Sequence, residues 1–148
     1  MQKLKYALFS FFRELPLFKG KTRLAKALAG SYIQEAKNVA IKGRYGIKYL
    51  VPNLVENIGF DLMLNGIYEP DTVSFIIERI PSNGVFFDIG ANIGAITLPV
   101  VNKRKDINAI CVEASPRVFA YLQENIAAIN NKNITLVNKA VTERDAIS

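Results

Sequence analysis

The 148-residue chain has no histidine, no tryptophan and a single cysteine. Without histidine it lacks the commonest metal ligand and the usual general base near neutral pH. Proton transfer then falls to carboxylates, lysines, tyrosines or the substrate itself. One cysteine excludes an internal disulfide framework and a metal site built only of thiolates, and a reducing, cytoplasmic setting is expected. Nine glycines and six prolines are too few for a collagenous or low-complexity chain, and a composition that is 50% apolar is too rich for disorder. No stretch approaches the roughly 20 apolar residues of a membrane span. The run from Tyr6 to Phe12 is short, and Arg13 and Glu14 follow it with no small-residue cleavage site, which argues against a signal peptide. The length fits a globular domain of ordinary size, since most run to roughly 100–200 residues.

Charge is unevenly spread. Residues 1–50 carry 11 basic and 2 acidic groups, residues 51–100 carry 1 and 6, and residues 101–148 carry 7 and 5. A basic head suits an anionic partner, although a solvated helix face explains it equally simply. Leu4, Leu8, Phe11, Phe12 and Leu15 recur at helical spacing beside Lys3, Lys5 and Arg13, and Pro16 closes the pattern. Such a helix either docks on the rest of the protein or makes weak peripheral membrane contact through residues 1–15. A nucleic-acid partner is not expected.

Further along, a short helix is expected from Arg23 to Ala29, stopped by Gly30. Val39 to Val51 reads as a β-hairpin around Gly43 and Gly46. Helical periodicity returns at Val55, Ile58, Leu62 and Met63 and ends at Asn65-Gly66. Pro70 suits a first helical position, with Val73, Ile76, Ile77 and Ile80 forming the buried side. From there strand and helix alternate. Val85 to Phe87 lacks polar alternation, as expected of a parallel strand buried on both faces. A helix near Ala95 to Val101, a strand at Asn108 to Val112, a helix from Pro116 to Ile129 and a strand at Ile134 to Val137 follow. The pattern predicts an α/β, doubly wound sheet preceded by helices and a hairpin. It divides the chain into a basic helical segment, residues 1–38, and an α/β domain, residues 39–148.

The segment Asp88-Ile-Gly-Ala-Asn-Ile-Gly94 sits at the carboxyl end of the first α/β strand, where open sheets bind ligands. Gly90 and Gly94 permit backbone angles that a Cβ disfavours, and the helix after them offers N–H groups and a positive dipole end. Glu113 ends the next strand, 25 residues after Asp88 and 19 after Gly94; a carboxylate there can accept from both hydroxyls of a ribose. A pyrophosphate fingerprint is G-x-G-x-x-G, whereas this turn is G-x-N-x-G, with an acid two residues before it that would repel a pyrophosphate. That acid suits a ligand with a cationic centre, an amine and a carboxylate. S-adenosylmethionine carries all three and fits better than NAD, so an NAD-linked oxidoreductase is the minor rival.

Val85 to Leu98, then Val112-Glu-Ala-Ser-Pro116, Asn125-Ile126, Asn130 and Asn133 to Val141 together resemble the FkbM family of S-adenosylmethionine-dependent methyltransferases. Asn92, where most class I methyltransferases carry glycine, is typical of that family, and Gly66 to Pro70 is similar to the segment before its first core strand. The resemblance covers roughly Ile41 to Val141. It implies a class I, Rossmann-like fold and O-methylation of a sugar, glycan or small-molecule hydroxyl. It implies that Asp88 orients the methionine amino group, that Gly90, Asn92 and Gly94 shape the loop, and that Thr97 faces the methionine end. Glu113 would hold the ribose, Ala114 and Ser115 would pass one side of the adenine, and Asn138 to Ala140 would approach the other. Tyr68 and Glu69 would close over the site.

Each residue has a plainer reading. Asp88 as a helix cap, Asn92 as a turn residue, and Thr97, Ser115 and Asn138 as partners of backbone groups all remain open. Cys111 reads as a small buried residue, and Lys103-Arg104-Lys105 as a run favoured by a helix end. The sequence stops at Ser148, before the four further strands a class I sheet has. An N-terminal piece of the fold is therefore expected, its first strand keeping an unpaired edge open to a complementing chain or a second copy. No catalytic residue is assigned, and turnover is left open. The alternative is a non-catalytic binding protein or remnant that retains the cofactor loop.

Overall fold

The computed structural model describes residues 9, 11–13, 15, 20–129 and 131–142. It divides into two compact units, the first ending at Tyr68 and the second beginning at Glu69.

In the first unit, helix α1 (Lys21–Glu35) is followed by an antiparallel hairpin of β1 (Lys37–Lys42) and β2 (Lys48–Asn53), then by helix α2 (Asn57–Asn65). The expected hairpin is present, with Val39 opposite Val51 and Ile41 opposite Tyr49. Gly30 does not stop α1. The backbone departs from helical angles at Ala29 (φ −127°, ψ 17°) and the helix resumes to Glu35. Ala25, Ala29 and Ile33, spaced at i, i+4 and i+8, are buried on one stripe, and their packing outweighs the roughly 1 kcal/mol that glycine costs a helix. Asn53 makes the turn that leads into α2: its Oδ1 accepts from the N–H groups of Val55 and Glu56, both at 3.0 Å. Gly66 ends α2 in the left-handed region at φ 71°. Carbonyls of its last turn are held by arginine: Arg13 donates to Met63 O at 2.9 Å and Arg44 to Asn65 O at 3.2 Å. Of the leading amphipathic pattern, Phe12 is buried and Phe11 is exposed; Phe9, which the pattern did not include, is also buried. Its other residues lie outside those described, except Arg13 and Leu15.

The second unit contains helix α3 (Pro70–Arg79), β3 (Val85–Ile89), α4 (Thr97–Lys103), β4 (Asn108–Val112), α5 (Pro116–Ala127) and β5 (Ile134–Val137). The strands are parallel in the order β3-β4-β5, with Asp88 opposite Cys111 and Cys111 opposite Leu136. This is the predicted α/β alternation. Two expectations need correction. Helix α4 begins at Thr97 rather than Ala95, because Gly90, Asn92 and Gly94 all take positive φ (83°, 51° and 83°) and keep the chain in turns until then. And β3 is not buried on both faces: Val85, Phe87 and Ile89 are 50%, 60% and 63% exposed. The face bearing Asp88 and Cys111 is covered by α4, through Thr97. The opposite face of β3 has no comparable cover among the described residues. Within α3, Val73 is fully buried but Ile76, Ile77 and Ile80 are only half-buried. Arg104 secures the carboxyl end of α3 by donating to Ile77 O and Ile80 O at 2.9 and 2.8 Å while pairing with Asp106 at 2.8 Å, a tertiary task beyond favouring its own helix end.

Candidate functional site

The parallel ladder brings the carboxyl ends of β3, β4 and β5 to one edge of the sheet, and the residues singled out by the motif gather there in two groups. Asp88 is partly buried on β3, and Thr97, completely buried at the start of α4, donates its hydroxyl to Asp88 Oδ2. The same hydroxyl lies 3.4 Å from Cys111 Sγ on the neighbouring strand. Burial raises the Asp88 carboxyl above its ordinary value, and the Thr97 hydrogen bond opposes part of that rise. Cys111 is buried and its thiol is pushed up to about 11, so it packs as a small apolar side chain and is a poor nucleophile.

The second group is built around Glu113, one residue beyond β4. Its main-chain N–H extends the ladder by donating to Val137 O at 3.0 Å. Its carboxylate joins two loops: Oε2 accepts from the N–H of Asn92 at 3.0 Å and Oε1 from the N–H of Ser115 at 2.8 Å. Asn138, just past β5, donates its amide to Glu113 O at 2.7 Å and to Ala114 O at 3.3 Å. Ser115 caps α5, its Oγ accepting from Val118 N at 3.4 Å. Asn92 accepts from the N–H of Ile93 with its own side-chain oxygen at 2.9 Å, which stabilises its left-handed backbone.

The two glycines of the loop serve different ends. A Cβ on Gly90 would meet nothing within 4 Å, so that position opens on free space and glycine serves the φ of 83°; a Cβ on Gly94 would stand 3.1 Å from Leu122 Cδ1 and 3.3 Å from Leu98 Cδ1. Gly94 therefore also lets α5 pack close under the loop. Ala140 is exposed two residues beyond Asn138 and brings no polar side chain to the cluster. Glu69 precedes α3 at φ 42°, and its carboxylate accepts from Thr72 Oγ1 at 3.1 Å, a local side-chain pair at the start of that helix. Asn130 lies outside the described residues. One residue of the site belongs to the sequence pattern but had no role expected of it: Asn125, buried in α5, donates to Ile93 O at 3.0 Å. Its signal was an amide on the stripe of Leu122 and Ile126, where an apolar side chain is the rule.

A carboxylate has about four lone-pair positions. Glu113 uses one on each oxygen for backbone N–H groups, so each oxygen keeps a position for a further donor such as a ribose hydroxyl. The residues present thus fit an adenosyl group, with an open glycine turn on one side and a second, partly buried carboxylate on the adjacent strand. Because Glu113 holds the N–H of Asn92, the loop is tied to that acceptor.

The fold is that of the class I, Rossmann-like methyltransferases. The chain resembles the structure of P. horikoshii TYW2 in complex with MeSAdo, with a TM-score of 0.55 and 16% identity over 95% of this chain and 64% of that one. It also resembles M. jannaschii TYW2 in complex with AdoMet, with a TM-score of 0.53 and 19% identity over 70% of this chain and 44% of that one. No family model and no curated protein matches it. The chain thus spans 44–64% of the length of these two solved chains. Among the described residues no helix is long and apolar enough to cross a membrane.

Proposed function

We propose that the chain binds S-adenosylmethionine as the cofactor-holding part of a methyltransferase of FkbM type, one that methylates a hydroxyl of a sugar, glycan or small molecule in the cytoplasm. The observation that carries the reading is Glu113: a buried carboxylate at the end of β4, held between the glycine loop and the start of α5, with an acceptor position left on each oxygen. The cofactor, when bound, supplies a methyl group on a sulfonium that is already a good electrophile. In this reading the chain's own residues position it. Glu113 accepts from the ribose hydroxyls, Asp88 places negative charge toward the amine and sulfonium, and the loop from Gly90 to Gly94 leaves room for them. The FkbM assignment rests on the G-x-N-x-G loop with Asn92 and on the later motifs in their order. The acceptor side is proposed to come from further α/β polypeptide beside β3, whose outer edge carries no strand among the described residues.

Isothermal titration with S-adenosylhomocysteine tests this. Saturable binding is expected, and Glu113→Ala should weaken it by about 150-fold or more, since a hydrogen bond to a charged group contributes about 1.5–3 kcal/mol and two are lost. Tighter binding of NAD than of S-adenosylhomocysteine would reject the reading. Binding without methyl transfer to any hydroxyl acceptor, even with the rest of a class I sheet supplied, would favour a non-catalytic binding protein.

A further inference from the structure

We infer that Asn125 is the positioning residue of the cofactor loop, setting from beneath the shape in which that loop presents its ligand side; the inference rests on the reading given under Proposed function. Asn125 is 2% exposed, on the face of α5 that also carries Leu122 and Ile126. A buried amide on such a face costs free energy unless it is hydrogen-bonded, and its Nδ2 donates to the carbonyl of Ile93, 32 residues earlier, at 3.0 Å. Ile93 lies between two residues of positive φ, Asn92 and Gly94. The peptide it begins leads into Gly94, whose backbone lies in a region that local sterics disfavour for most residues, so its orientation is set by the contacts it makes.

The same peptide is also anchored at its N–H, and the loop leads on from it to the carboxylate. The N–H of Gly94 donates back to Ala91 O at 2.8 Å, and the N–H of Asn92 donates to Glu113 Oε2 at 3.0 Å. Asn125, Ile93, Asn92 and Glu113 thus form one continuous connection from helix α5 through the loop to the carboxylate proposed to hold the ribose. Close packing of Leu122 under Gly94 locates the helix but is indifferent to the direction of the Ile93 carbonyl. Asn125 alone among the described contacts of that carbonyl gives it a side-chain donor. Asn125 does not touch the ligand in this scheme; it acts through the loop.

The test is Asn125→Leu, which keeps the branching at Cγ, suits the apolar neighbours and removes the donor. Two readouts are taken on the 148-residue chain at a temperature where circular dichroism shows it folded. Amide hydrogen exchange should become about tenfold faster at Asn92 and Gly94, while the β4 amides stay unchanged, as loss of one buried hydrogen bond would give. Affinity for S-adenosylhomocysteine should fall about tenfold. If the leucine variant does not fold, Asn125→Asp, which matches the shape but replaces the donor by a carboxylate, is measured in the same way. Loop exchange that stays as in the parent chain, or that rises equally in β4 and α5, overturns the inference. A parent chain that fails to bind S-adenosylhomocysteine overturns the proposed function instead, and the exchange comparison still decides whether Asn125 holds the loop. Faster loop exchange with unchanged affinity also overturns the inference, because the loop's shape would then not matter to the ligand.

Discussion

Asp88 and Glu113 are both carboxylates at strand ends, yet their surroundings differ in kind. Glu113 is supported by two backbone N–H groups and Asp88 by one hydroxyl, and burial raises the Asp88 carboxyl. The effect on stability has a definite sign. A carboxyl raised on folding keeps its proton to higher pH in the folded chain than in the unfolded one, so unfolding releases protons and stability falls as pH climbs from the ordinary value of 3.8 through the folded-state value. Urea unfolding of the parent and of Asp88→Asn across that range should show the decline in the parent and its loss in the variant, which keeps an oxygen for the Thr97 hydroxyl. A parent whose stability rose more steeply with pH than the variant's would contradict the buried, raised carboxyl.

The helices and strands were legible to differing degrees, for identifiable reasons. Pro70 and Gly66 punctuate α3 and α2 as their chemistry dictates, and the hairpin falls where the glycines and β-branched residues place it. The run through Gly30 was not legible, because the buried alanine stripe that carries α1 past it depends on what packs against it. Gly59 was not legible either. A Cβ there would stand 2.1 Å from the carbonyl oxygen of Asn53, so α2 crosses the end of β2 at a distance only glycine allows. Gly59→Ala should therefore destabilise the first unit by about 3 kcal/mol, the upper part of the range for overpacking, against a gain of about 1 kcal/mol for the same change in an unobstructed helix. Thermal or urea unfolding followed on the buried Tyr49 measures it, and a stabilised variant would refute the close crossing.

In the second unit, β3 has one face packed and the other without comparable cover among the described residues. Parallel sheets are found almost only with both faces covered, and Val85, Phe87 and Ile89 are about half or more exposed. This is the physical ground for proposing further α/β polypeptide beside β3. It predicts that Phe87→Thr in the 148-residue chain changes stability by less than about 0.5 kcal/mol, as for a surface position, while reducing binding of a dye specific for exposed apolar surface. A loss of about 3 kcal/mol, the size expected of a buried phenylalanine, would show that the face is already covered. Asp88 stands apart from that face, since it and Cys111 lie on the other one.

The order of elements, the glycine turn after β3, and the acid 25 residues beyond Asp88 were all determined by the amino-acid sequence, because periodicity, turn chemistry and spacing act over a few neighbouring residues. What those residues hold was decided only by folding. That Thr97 turns its hydroxyl to Asp88, that Glu113 clasps Asn92 and Ser115, and that Asn125 reaches Ile93 depend on partners 9, 21, 2 and 32 residues away. Apart from the local bond to Ser115, such pairings exist only once crossover helices have laid the strand ends side by side, and no local pattern can specify which donor meets which acceptor there.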